Sequence, residues 1–385
     1  MSQNAPQPFV RTETLPQLPP PAAETGALKW IRENLFSSIA NTVLTLAAIY
    51  CIFQLLGIVV PWLLNGIWGT EGAGPNSLDE CRQRLEGAVG GCFAVIRERW
   101  QQLLFGNYPK DELIRPTIAF FGLLLAALPV MFTDLPRKLL IFTALFPFVT
   151  YWLLWGGSVW VPIVFLGAVY AAFRVFKALE KNSFAMAVLA GILALILIAR
   201  FAVGPIAAGI NGILPVELSS VESREIGGFL LNFILGITCV SLSLPLGILL
   251  ALGRQSDMPI IKGSCVVFIE FVRGVPLITL LFVASVMLAY FLPPDANFDI
   301  MIRVIIMITL FAAAYIAEAI RGGLAALPKG QYEAADSLGL DYWQAMRLII
   351  LPQALKISIP SIVNIAIGLF KDTTLVSIIS MVDLL

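Results

Sequence analysis

The sequence of 385 residues contains no histidine. That removes imidazole metal ligands and the commonest general base. Charge is scarce as well: Asp, Glu, Lys and Arg make up 13% of the chain, against roughly a quarter in an average soluble domain. The 25 basic and 25 acidic residues cancel, so nothing marks a nucleic-acid partner. There is no G-x-x-x-x-G-K-[ST] phosphate loop, which argues against an ATPase within the chain. No metal-ligand cluster or nucleophile–base constellation stands out. Residues 1–37 are polar and proline-rich, with Pro6, Pro8, Pro16 and Pro19 to Pro21, and hold no apolar h-region. They read as a disordered cytoplasmic tail rather than a cleavable signal peptide.

What is present is apolar. Hydrophobic residues make up 58% of the chain, and the mean hydropathy is +0.87, so the bilayer is the expected solvent. A transmembrane helix needs about 20 mostly apolar residues. Nine runs qualify, at 38–63, 116–132, 139–155, 159–173, 185–205, 226–251, 264–291, 300–320 and 357–380. The expected fold is an all-α polytopic membrane protein of about nine transmembrane helices. Residues 215–225 leave room for a short interfacial turn. Basic residues in short loops set orientation. Arg32, Arg137, Lys138, Arg174, Lys177, Lys181, Arg254, Lys262, Arg321, Lys329, Arg347 and Lys356 all fall on one side if the N-terminus is cytoplasmic. The expected organisation is a tail (1–37), an N-terminal membrane region (38–220) with an outside loop (66–113), and a C-terminal core (221–385) that holds a polar loop (321–356).

The outside loop carries Cys81 and Cys92. In an oxidising compartment they can pair, but spacing does not fix the Cα separation a disulfide needs, so two free thiols are an equal alternative. Cys51, Cys239 and Cys265 lie in apolar runs and read as packing residues.

Between the last two runs lies RGGLAALPKGQYEAADSLGLDYWQAMRLIILPQALK. Glu333 to Leu338 are suited to a short helix. Gly339 permits the positive φ that ends it, and Asp341 can cap a second helix. On that helix Trp343, Met346, Ile350 and Ala354 fall at helical spacing, and Pro352 is placed to bend the chain back toward the membrane. The product is a helix–turn–helix with one apolar face. Headgroups, the protein's own helices or a partner groove would each cover such a face.

Glu333-Ala334-Ala335, Gly339, Ile349 and Leu351-Pro352 together resemble the EAA signature of membrane subunits of bacterial ABC importers, at every position. The resemblance implies a type I ABC importer permease core near the C-terminus. In it, Glu333, Ala334, Ala335, Gly339, Leu351 and Pro352 would dock a separate ATPase dimer that holds ATP and Mg, with no cofactor in this chain. Glu270 to Leu277 (EFVRGVPL), Ala317 to Gly323 (AEAIRGG) and Lys371 to Ser377 (KDTTLVS) resemble the polar amino-acid branch of these permeases. The long N-terminal region is similar to the longer permease of general L-amino-acid and glutamate/glutamine/aspartate/asparagine importers. That resemblance implies a second homologous permease, a periplasmic amino-acid-binding protein and a place in the bacterial inner membrane. It also implies a further span beyond Val382-Asp383-Leu384-Leu385.

Charges inside spans cost about 2.5–3.5 kcal/mol each on insertion scales. Lys371 and Asp372 lie about 14 residues into the ninth run, roughly 21 Å at 1.5 Å per residue. One reading places them, with Thr373, Thr374 and Ser377, on a substrate path. The other ends the helix at Leu369–Phe370 and sends Lys371 to outside headgroups. Glu270 and Arg273 share a helix face, so both substrate contact and a simple ion pair fit. Glu318 and Arg321 read as a structural pair. The leading expectation is a permease subunit that imports polar L-amino acids by alternating access, driven by a partner ATPase and not itself an enzyme. The rival is an ion- or proton-coupled secondary transporter using Asp372 and Glu270.

Overall fold

The computed structural model describes residues 26–68, 78–132, 134–180, 184–287, 290 and 299–379. The expected tail over 1–25 and the chain end at 380–385 lie outside the described residues. The chain divides into two compact units, residues 1–98 and 99–385.

In the first unit, α1 (Gly26–Asn34) is a helix within the segment expected to be disordered. Its Trp30 and Ile31 stand apart from Lys29 and Glu33, which pair at 3.8 Å, and that amphipathic spacing favours a helix over the polar tail that composition suggests. Helix α2 (Ile39–Leu64) starts at Ser38, whose hydroxyl accepts from the Asn41 amide at 3.2 Å. Beyond it, Ile67 bridges to Cys92, and the Phe93 ring stacks on Trp68 at 4.5 Å and meets Trp62 edge-on at 5.3 Å. After α3 (Leu78–Arg84), Cys81 and Cys92 form a disulfide with Cα atoms 5.8 Å apart. A loop this short contributes roughly 3 kcal/mol to stability in the chain-entropy account.

The division between the units falls on α4 (Ala94–Phe105). The second unit continues with α5 (Ile114–Met131), α6 (Leu139–Trp155), α7 (Trp160–Leu179), α8 (Phe184–Phe201) and α9 (Val203–Asn211). The turn expected within 215–225 is present at 223–225, where the Glu225 amide donates to the Glu222 carbonyl at 2.9 Å; ahead of it β2 (Glu217–Leu218) pairs antiparallel to β1 (Gly157–Ser158), with Gly157 opposite Leu218. This ribbon region is held by side chains. Buried Arg115 pairs with Glu112 at 2.8 Å and donates to the Ser219 carbonyl at 2.8 Å. The Tyr108 hydroxyl donates to the Leu154 carbonyl at 2.9 Å, and burial pushes its pKa up to about 12. Trp155 donates to Ser223 at 2.8 Å, and Ser223 donates to Asp299 at 2.8 Å.

The core is built on α10 (Gly228–Gln255), α11 (Pro259–Gly274), α12 (Leu277–Phe282), α13 (Ile300–Ala325), α14 (Gly330–Ser337), α15 (Tyr342–Ala345) and α16 (Leu351–Asp372). Asp299 caps α13 by accepting from the Met301 amide at 2.8 Å. Helices α10, α13 and α16 approach closely because small residues face one another. A Cβ on Gly323 would lie 2.5 Å from the Ala354 carbonyl oxygen, and one on Gly247 would lie 2.6 Å from Ile316. Ser358 donates to the Ala319 carbonyl at 3.1 Å across the same contact. Two apolar clusters result. An outer one gathers Leu231, Leu235, Leu281, Val304, Ile308 and Val376. An inner one gathers Ile269, Ile316, Ile320, Leu324, Met346 and Ile350.

Over the described residues each of the nine apolar runs overlaps a helix. Among those residues six helices are long and apolar enough to cross a membrane, and up to eight if each of two bent pairs counts as one span; Leu139–Trp155 is shorter. The seventh run differs from a plain span. Pro259–Gly274 and Leu277–Ser285 meet at 102°, because Pro276 lacks the amide that would continue the helix and Leu277 and Leu281 turn into the outer cluster. The ninth run differs too. Its helix begins far earlier, at Tyr342, and Pro352 does not bend it. A π turn over Met346–Ile350 widens the backbone just ahead of Pro352, which sits in the first turn of α16. The expected apolar stripe is shorter than its spacing suggests. Met346, Ile350 and Ala354 are buried, but Trp343, in the first turn after the Asp341 cap, is 63% exposed and meets the Tyr342 ring edge-on at 5.3 Å.

Candidate functional site

The polar loop between α13 and α16 is a compact hairpin. Helix α14 ends in a Schellman arrangement: the Gly339 amide donates to Asp336 at 2.9 Å and the Leu340 amide to Ala335 at 3.3 Å. Gly339 carries this turn at φ +67°, and nothing lies within 4 Å of where its Cβ would be. Asp341 and Gln344 form a reciprocal capping box at the start of α15. Gln353 on α16 donates to Gln331 on α14 at 2.9 Å and closes the hairpin. Ala335 is buried, while Glu333, Ala334, Gly339 and Pro352 are exposed and Leu351 is half-buried. Around them Leu338, Tyr342, Trp343 and Leu348 are each more than half exposed. The hairpin therefore divides its apolar residues. Met346, Ile350 and Ala354 pack into the inner cluster, and a second set faces outward beside Glu333 and Gly339. An outward apolar patch of this kind marks an interaction surface.

Where α13 enters the hairpin, charges from three helices meet. Glu318 pairs with Arg321 at 2.6 Å and lies 3.4 Å from Arg254 and 3.7 Å from Arg273. Glu270 pairs with Arg254 at 2.8 Å and with Arg273 at 3.8 Å. Glu270 and Arg273 thus stand in an ion network at the inner end of the core. Sequence reasoning missed the link from Arg254, which it counted only as a marker of orientation, because the pairing joins positions 64 residues apart. The signal present was a fixed charge at the end of an apolar run.

Lys371, Asp372, Thr373, Thr374 and Ser377 lie elsewhere, beside the outer cluster, where α16 gives way to a 3-10 helix over Thr373–Ile379. Lys371 is exposed, Asp372 is half-buried and Thr373 is fully buried. The hydroxyls donate to their own helix: Thr373 to Phe370 at 2.7 Å, Thr374 to Lys371 at 2.8 Å and Ser377 to Thr374 at 2.9 Å. No hydrogen bond or ion pair among the described residues joins this group to Glu270 and Arg273.

The family described as "Binding-protein-dependent transport system inner membrane component" matches residues 243–384, a range that includes both the ion network and the hairpin. The chain is 54% identical over 381 residues to the glutamate/glutamine/aspartate/asparagine transport system permease protein BztC of Rhodobacter capsulatus, covering 97% of this chain and 87% of the relative. It is 38% identical over 380 residues to the inner membrane amino-acid ABC transporter permease protein YhdY of Escherichia coli, covering 97% and 85%. A probable amino-acid ABC transporter permease of Bacillus subtilis, YckA, is 37% identical over 140 residues, 36% of this chain and 61% of the relative. With two relatives matched along nearly its whole length, the chain belongs to the inner membrane components of binding-protein-dependent transport systems, as a permease subunit of the amino-acid ABC importers.

Proposed function

We propose that this permease imports polar L-amino acids with acid or amide side chains and is driven by a separate ATPase dimer that docks on the α14–α15 hairpin. The observation that carries the reading is the hairpin's outward face, where Leu338, Tyr342 and Trp343 are exposed around Glu333, Ala334 and Gly339. Small side chains at Ala334 and Gly339 let a partner cleft approach the backbone. ATP and Mg belong to that partner; this chain hydrolyses nothing and holds no cofactor. It pairs with a second, homologous permease, receives substrate from a periplasmic binding protein, and sits in the inner membrane with its N-terminus cytoplasmic. The substrate class is supported by the relative BztC, whose name gives glutamate, glutamine, aspartate and asparagine. Lys371 and Asp372 are the charged groups of the substrate path, supported by their position where the α-helix ends. Glu270 and Arg273, each engaged in the ion network, belong to the framework around the path.

The test is purification of the assembled complex with Gly339→Val, whose β-branched side chain is incompatible with φ +67°. ATPase co-purification and ATP-driven uptake into proteoliposomes are both expected to fall at least about tenfold, equivalent to 1.4 kcal/mol of docking energy. Uptake should persist when the membrane potential is dissipated. Full uptake by Gly339→Val and by Glu333→Ala, or uptake that follows the potential and ignores ATP, would sink the proposal.

A further inference from the structure

The ion network is larger than either orientation or stability requires. Basic residues that only set topology are expected to be free in the interface, whereas Arg254 and Glu318 have side chains only 23% and 24% exposed. Part-exposed ion pairs each contribute little to stability, and apolar residues of similar volume would replace a buried set at little cost. The arrangement has another property. Arg254 is shared between Glu270 (2.8 Å) and Glu318 (3.4 Å), and Arg273 is shared between the same two carboxylates (3.8 and 3.7 Å). Two guanidiniums and two carboxylates in one ring can exchange partners while every charge stays paired. Arg273 Nε is buried with no hydrogen-bond partner among the described residues, a donor left open in this arrangement of the ring.

Position gives the ring its meaning. Glu318 and Arg321 are on the last turns of α13, which leads directly into the hairpin. Tyr315, one turn earlier on the same face, donates to the Arg273 carbonyl at 3.5 Å, and its ring lies 5.6 Å from the Arg273 guanidinium. Arg273 is three residues before Pro276, where the chain turns through 102°. Ahead of that break Ile269 packs in the inner cluster; after it Leu277 and Leu281 pack in the outer one. The ring therefore links the root of the hairpin to the only bend of this size among the described helices of the core.

We propose that Glu318 is a positioning residue that transmits movement of the hairpin to the α11–α12 break, keeping ATP use by the partner in step with opening of the path. Glu270 and Arg254 complete the linkage from α11 and α10. The proposal rests on the docking reading above.

The experiment is Glu318→Gln in the full complex, reconstituted with ATPase and binding protein and supplied with glutamate and glutamine. Expected is an ATPase that still co-purifies and hydrolyses within about twofold of the parent rate, while uptake falls at least about tenfold, so ATP consumed per amino acid rises at least about fivefold. Glu318→Asp restores part of the ratio. A ratio unchanged from the parent, whether both rates hold or both fall together, overturns the proposal. Should Glu318→Gln yield no folded complex, Arg254→Gln, which leaves Glu318 paired with Arg321 and Arg273, carries the same readout; a ratio within about twofold of the parent then overturns it. Gly339→Val in the same assay separates the two readings. If it keeps its ATPase, the docking reading fails; if it loses the ATPase while Glu318→Gln stays coupled, only the present inference fails.

Discussion

Helices α2 and α13 have the same length, 26 residues. Both are apolar enough to cross a membrane, yet no residue of α2 is buried, whereas half of the most apolar window of α13 is. Part of the difference is in side-chain size. Helix α13 places Ala312, Ala313, Ala314, Ala317 and Gly323 at buried positions, and neighbouring backbones come to them. Helix α2 carries Leu, Ile, Val and Phe on every side and shows them outward. Hydropathy identifies a helix that lipid will accept. Small residues identify one that other helices will accept, since apolar burial drives little association inside a bilayer.

The comparison predicts a graded set of outcomes. The largest effect is expected for Gly323→Val, whose Cβ would meet the Ala354 carbonyl oxygen at 2.5 Å. Overpacking against backbone should cost about 3 kcal/mol or more and lower the melting temperature of the detergent-solubilised chain by several degrees. Cys81→Ser should cost roughly 3 kcal/mol, confined to the first unit. Limited proteolysis between residues 78 and 98 is the measurement, with the second unit cut at its parent rate. The smallest effect belongs to Gly57→Val in α2, where nothing lies within 4 Å of the added Cβ. Its expected cost is below about 0.5 kcal/mol, typical of an exposed site, and a melting shift as large as that of Gly323→Val would break the contrast.

Much of this was readable in the sequence. The nine apolar runs locate the helices because a span must be continuous and apolar over its length. Gly339 and Asp341 declare the hairpin because turn and cap chemistry is local. What could not be read was non-local or cumulative. Pro276 marks a break, but its angle follows from Leu277 and Leu281 seating in a cluster made by distant helices. Arg254 and Glu318 carry no joint signal across 64 residues. Trp343 shares helical spacing with buried Met346 yet is exposed, because spacing says which residues share a face and not how far along the helix a neighbour covers it. Glu270 and Arg273 fit both substrate contact and an ion pair by type, and only the fold puts them in the network with Arg254, away from Lys371 and Asp372 at the end of α16.

The π turn at Met346–Ile350 has a consequence for the docking face. It joins the hairpin to the longest helix of the core without a flexible joint, so it sets the azimuth at which Trp343 and Tyr342 are presented. Each residue added to or removed from a helix turns everything beyond it by about 100°. Deleting a single residue from the regular helix beyond Gln353 would leave the span apolar, the capping box intact and the hairpin folded, and would point its outward face away from a cleft built to receive it. On the docking proposed above, recognition of the partner depends on a count of residues as well as on their identity.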